Sequence, residues 1–194
     1  RLQAVASRRA RAPADLTSPT ENISVIMQIG ELPEIEIKHR SSNIVFCSGS
    51  FDIPHVAHAL FFEDCRRFGS ILVVCVGGDS VLKDRKPGRP VMSEAVRLKM
   101  VDFLKPVDYC YLNTVSTPED PLAAVAHAFK NLRPGHYVVK NEAFNMEERR
   151  ELCSQFCVEM HVLRRDFTTQ DELRAVSTSS IIERIRNASA GKGE

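Results

Sequence analysis

The chain has 194 residues, 43% hydrophobic and 26% charged, with 26 basic against 25 acidic residues and a formal charge of +1. Such a chain can bury a core of its own, as one domain with some extra segments, and it is not a disulfide-stapled miniprotein, a collagen or a coiled coil. The balanced charge creates no field that favours nucleic acid or anionic lipid, and no apolar run approaches the roughly 20 residues of a membrane span.

The chain begins at Arg1 rather than Met, which reads as a piece of a longer protein or a processed product. Residues 1–20 are rich in Arg, Ala, Ser and Pro, with Asp15 the only acid, and read as a linker or irregular extension. Residues 23–37 are apolar enough to pack on a core, and Ile35 and Ile37 alternate with Glu34 and Glu36 as in a short half-buried strand. Residues 1–42 are therefore expected to be an N-terminal extension, part of it packed on the core. The main domain is expected over 43–187, with a short tail over 188–194.

From Asn43 the pattern becomes regular. Residues 43–47 predict a buried strand, residues 57–68 a helix closed by Gly69, and residues 71–76 a second, continuously apolar strand. A Lys/Arg/Pro/Gly loop follows from Lys83 to Pro90. Ser93 then caps a helix to about Leu104. Residues 109–112 predict a third strand. Thr117-Pro118 is expected to open a helix, with Glu119 and Asp120 suiting its dipole, that runs to Leu132. Strands over 137–140 and 158–163 flank a charged helix over 145–157, and residues 177–187 make the last helix. Strand and helix alternate about five times across connections too long for hairpins. The expected fold is α/β, a Rossmann-like, mostly parallel five-stranded sheet with helices on both faces. Ligands in such folds sit beyond the carboxyl ends of the strands.

Six cysteines are scattered through mostly apolar stretches, with no CxxC pair. Cys153 and Cys157 stand four apart on a helix, but no second pair completes a zinc site, so no metal site is expected. Small buried thiols in a reducing, cytoplasmic setting are the plainer reading.

The first strand ends in Ser48-Gly49-Ser50-Phe51-Asp52-Ile53-Pro54-His55-Val56-Ala57-His58. A small-residue turn leading from strand to helix aims free N–H groups and the helix dipole at one spot, a natural cradle for phosphate. His55 and His58, three apart, project on one face if the stretch is helical, and paired imidazoles beside an anion can donate to phosphoryl oxygens as charge builds. Each could equally cap or pack, or supply two ligands of a zinc site with no evident third. Far downstream, Ser177-Thr178-Ser179-Ser180 precedes an apolar-periodic helix and offers a second anion site, or simply an ordinary cap.

The segment SGSFDIPHVAH, followed by a helix and the strand ILVVCVGGD, resembles the HxGH nucleotidyltransferases of the cytidylyltransferase-like superfamily. Two further stretches agree in order and spacing, Arg89 to Arg97 with the family's RPV…R segment and Val176 to Ile185 with its terminal helix motif. The nearest resemblance is to heptose-phosphate adenylyltransferase and glycerol-phosphate cytidylyltransferase domains. It implies transfer of a nucleotidyl group from an NTP (CTP or ATP), accompanied by Mg²⁺, to a sugar or alcohol phosphate with release of pyrophosphate. It carries catalytic roles onto His55, His58, Lys83 and Arg97. Phosphate-binding roles fall on Ser48, Gly49, Ser50, Phe51, Lys86, Ser177, Thr178 and Ser179, and substrate contacts on Asp52 and Asp79. The implied partners are the nucleotide and the acceptor, with no nucleic acid and no membrane. Sheet-edge homodimers are frequent among the relatives.

Two departures stand out. Ala57 replaces the glycine of HxGH, and Lys140-Asn141-Glu142-Ala143-Phe144 replaces a Gly-Asp-rich element that helps read the base. They motivate a rival reading, a catalytically silent nucleotide-binding or assembly module of the same fold. A fragment of a class I aminoacyl-tRNA synthetase shares the HxGH helix but fares worst, because no KMSKS-like segment is present.

Overall fold

Strands that are apolar on both faces belong in the middle of a covered parallel sheet, and that is where the two strongest apolar runs lie. In the computed structural model, which describes residues 25–40, 43–85, 88–141, 143–164 and 172–190, Ile44–Gly49 (β2) pairs in parallel with Ile71–Val76 (β3) over the whole length of both strands. Val25–Met27 (β1), Tyr109–Leu112 (β4), His136–Lys140 (β5) and Glu159–Leu163 (β6) complete an all-parallel sheet in the order β1-β4-β3-β2-β5-β6. Alternation along β2 divides the core. Ile44 and Phe46 face one cluster with Phe129, Leu132 and Tyr137, while Val45 and Cys47 face another with Phe62, Leu72 and Val101.

Helices Leu32–Lys38 (α1), Ala123–Leu132 (α5) and Met146–Phe156 (α6) supply the first cluster, and Val56–Cys65 (α2) and Glu94–Asp102 (α4) the second. Short helices Asp79–Arg85 (α3) and Glu172–Ala175 (α7) and a terminal helix Thr178–Ala190 (α8) complete the described residues. The chain leaves β2 toward β3 and β4 on one side, then crosses back to β5 on the other. The crevice between the ends of β2 and β5 is therefore the point where strand order reverses.

The sheet has six strands, not five, because residues 25–27 add β1 beside β4. The half-buried strand expected at Glu34–Ile37 is instead α1. Pro33 stands in its first turn, Leu32 and Ile35 are buried one turn apart, and Ile37 is 66% exposed. Proline at a helix start and a three-residue apolar spacing outweigh a four-residue alternation. The helix expected from Thr117 begins only at Ala123. Pro121 disfavours helical geometry at Asp120, whose N–H instead bonds the Thr117 hydroxyl at 3.1 Å.

Five cysteines are buried and Cys157 is exposed. Burial raises the Cys47 thiol well above its ordinary range, Cys75 to about 12 and Cys153 to about 11. They pack as small apolar residues.

Candidate active site

The loop leaving β2 is a strained turn held by long-range hydrogen bonds. Phe51 and Ile53 both have positive φ, 48° and 45°, which for non-glycine residues costs on the order of 1–3 kcal/mol each. The buried Asp52 between them offsets that cost. Its carboxylate accepts from the backbone N–H groups of Ile53, Val91 and Met92 at 3.1, 2.9 and 3.0 Å, and the Arg89 guanidinium stands 3.8 Å away. A Cβ at Gly49 would lie 2.9 Å from the Phe51 ring and would push it from its place in the loop.

Arg97, fully buried on α4, donates to the carbonyls of Ser50 (2.5 Å) and Met92 (3.1 Å) and to Asp79 Oδ1 (2.7 Å). Its guanidinium is therefore committed to holding the strand-end loop, and Asp79 is engaged with it. Asp79 also donates its N–H to Glu94 at 2.8 Å.

His55 is the N-cap residue of α2 rather than a helical one, and His58 is its third helical residue. Their rings nonetheless stand 4.0 Å apart, centroid to centroid, with Phe51 edge-on to His58. The His55 N–H donates to His58 Nδ1 at 3.4 Å. That bond makes Nδ1 an acceptor, so a neutral His58 ring carries its proton on Nε2.

The downstream hydroxyl segment reaches this same loop. Thr178 Oγ1 donates to the Asp52 carbonyl at 2.7 Å, and Arg89 donates to Ser179 Oγ at 3.2 Å. Ser177 and Ser180 exchange reciprocal backbone-to-hydroxyl bonds of 3.0 Å, a capping pair at the start of α8. Ser177 thus caps, Thr178 ties α8 to the β2 loop, and Ser179 ties it to Arg89.

Between β2 and β5 opens a cavity of about 550 Å³ lined by Ser48 to Asp52, His58 and Phe61 on one side and by Val139, Lys140, Phe144 and Arg149 on the other, with Arg89 at its edge. Its floor is a polar network. Ser48 Oγ lies 3.2 Å from the Tyr137 hydroxyl, which also meets Arg149. Burial pushes the Tyr137 phenol up to about 12. Buried Arg149 donates to the Phe144 carbonyl at 2.7 Å and lies under the Phe144 ring at 4.5 Å, and no carboxylate among the described residues pairs with it.

Lys83 is exposed on α3, where its neighbour Leu82 lines the cavity, and Lys86 falls outside the described residues. Three cationic residues of the cavity, Arg89, Lys140 and Arg149, carried no role in the sequence reading. Arg89 was visible as part of the RPV segment. Arg149 gave no signal, because a basic residue in a charged helix is usually solvated. Among the described residues Asp52 is the one carboxylate lining the cavity, and both of its oxygens already accept N–H groups. A divalent ion would enter bound to the nucleotide phosphates.

The sequence model of the cytidylyltransferase-like family matches residues 46–184. The chain is 31% identical over 153 residues to FAD synthase of Methanothermobacter marburgensis, an alignment covering 77% of this chain and 89% of that protein. It is 29% identical over 154 residues to the bifunctional protein HldE of Alcanivorax borkumensis, covering 78% of this chain but 29% of that longer protein. Among solved structures, pantoate-beta-alanine ligase from Francisella tularensis superposes with a TM-score of 0.51 at 11% identity, covering 73% of this chain and 67% of that one, a likeness of fold alone.

Proposed function

Because the chain belongs to the cytidylyltransferase-like family and is a nucleotidyltransferase, we propose that it transfers an adenylyl group from ATP to a phosphorylated small molecule in the cavity between β2 and β5. One observation supports this above all others: the β2 loop, the paired imidazoles and the start of α8 converge around Asp52 beside a cavity with a cationic far wall. The name FAD synthase, borne by relatives, describes a product with an adenylyl group, which favours ATP over CTP as donor.

An oxygen of the acceptor phosphate attacks the α-phosphorus, the bond from that phosphorus to the bridging oxygen breaks, and pyrophosphate leaves with the electron pair. No covalent enzyme intermediate is needed. In-line transfer of this kind depends on positioning and on neutralising spread charge. His58 donates through Nε2 to the transferring phosphoryl group, with His55 beside it. The backbone of Gly49 to Phe51 and the Ser179 hydroxyl receive the nucleotide phosphates, Thr178 holds the start of α8 beside them through its bond to the Asp52 carbonyl, and magnesium arrives with the triphosphate as part of the substrate. Arg97 and Asp52 are positioning residues that hold the loop in its strained form. Arg89 neutralises the triphosphate from the edge of the cavity. Arg149 and Lys140 face the acceptor phosphate from the β5 side.

The domain is proposed to comprise β1 and α1 together with the rest of the sheet. The test is pyrophosphate release from Mg·ATP and Mg·CTP against a panel of sugar, alcohol and flavin phosphates. Release with ATP and one acceptor class is expected. Nucleotide binding with no release across the panel would instead favour the silent module.

A further inference from the structure

The main cluster of ligating side chains outside the cavity sits at the opposite end of the sheet. His136 opens β5, Glu159 opens β6 directly across from it, and His161 follows two residues later. Period-two alternation puts all three on one face.

His136 Nδ1 and His161 Nε2 are 3.1 Å apart. Glu159 Oε2 lies 3.3 Å from the first and its Oε1 3.7 Å from the second. Two ligands bound at about 2.0–2.1 Å to one tetrahedral ion stand about 3.3 Å apart. One ligating atom from each of the three groups lies within 4.8 Å of the other two, close enough to converge on one ion after small side-chain shifts.

The two imidazoles are mostly buried, with side chains 20% and 18% exposed, while Glu159 is 66% exposed. The outer side is thus open to water as a fourth ligand. Phe68 stacks on His161 at 3.8 Å and fixes the plane of its ring.

We propose that His136, Glu159 and His161 form a binding site for a borderline divalent cation, zinc above all, that clips the edge strand β6 to β5. Two imidazole nitrogens with one carboxylate oxygen suit zinc better than the hard cations magnesium or calcium. The four residue steps from His136 to Lys140 span about 13 Å of strand, so this site is separate from the cavity. It escapes a reading of sequence alone because its ligands come from two strands and meet only through the parallel register.

The test is calorimetric titration of zinc chloride into the full chain without nucleotide. One equivalent is expected to bind the wild-type protein, and to bind at least tenfold more weakly to His136→Ala, His161→Ala and Glu159→Gln. The last variant changes an exposed carboxylate and guards against loss by misfolding. Cys157→Ser and the double variant His55→Ala/His58→Ala should bind zinc as the wild type does. Zinc should also raise the melting temperature of the wild-type protein but not that of Glu159→Gln. Wild-type affinity in Glu159→Gln and His161→Ala, loss of binding in Cys157→Ser alone, or no binding by the wild-type protein would each overturn the proposal.

Discussion

The two walls of the cavity are built differently. On the β2 side the main polar groups are already engaged within the protein: Asp52 with three N–H groups, Arg97 with two carbonyls and a carboxylate, Thr178 with a carbonyl. On the β5 side Arg149 is bonded to the Phe144 carbonyl and the Tyr137 hydroxyl, Lys140 stands 5.0 Å over the Phe61 ring, and Phe144 is 41% exposed. A wall fixed by its own hydrogen bonds can hold phosphates in one geometry without reorganising during reaction. A wall of two cations and a partly exposed aromatic ring suits recognition that varies from one acceptor to another. The family pattern lies on the first wall, and the departure at Lys140–Phe144 lies on the second.

Substitutions on each wall should separate these roles. The largest effect is expected for His58→Ala, a loss of about 10²–10³-fold in turnover from removing one donor to developing charge, with circular dichroism and melting temperature near wild type. Asp52→Asn should come next. It removes the charge that three backbone N–H groups bond to, at about 2 kcal/mol, which lowers the melting temperature by roughly 4–8 °C and turnover by more than tenfold. Arg149→Gln should raise KM for the acceptor about tenfold, equivalent to about 1.4 kcal/mol, while KM for ATP stays put. An equal rise in both constants would erase the proposed division between the walls.

Thr178→Val should cost about 1 kcal/mol for the lost bond to Asp52 and act on ATP binding alone, read as a several-fold rise in KM for ATP. The smallest effect concerns the frame between the walls. In the folded protein only the exposed Cys157 should react quickly with a thiol reagent at neutral pH, because burial keeps Cys47, Cys75 and Cys153 protonated. All six should react after denaturation.

Legibility followed the same division. The centre of the sheet could be read from sequence because apolar runs such as Ile71–Val76 admit few other structures, and the observed β3 has those bounds. The β2 loop could be read because its small residues and histidines are contiguous. What escaped depends on partners far away in the chain. β1 is three residues that acquire strand character only by pairing with β4. The Ile35–Ile37 alternation was too short to outweigh Pro33. Arg97, to which the family resemblance gave a catalytic role, is buried because the carbonyls of Ser50 and Met92 and the carboxylate of Asp79 converge on it. Arg149 is buried against Tyr137 and Phe144, a surrounding that only the folded crevice creates.

A crystal structure of the chain with a non-hydrolysable ATP analogue and magnesium tests the central claim most directly. The α-phosphate is expected within about 3 Å of His58 Nε2, the β- and γ-phosphates against Thr178 and Ser179, and Arg97 still bonded to the Ser50 carbonyl. A triphosphate seated away from the β2–β5 crevice, or out of reach of both His58 and the start of α8, would contradict it.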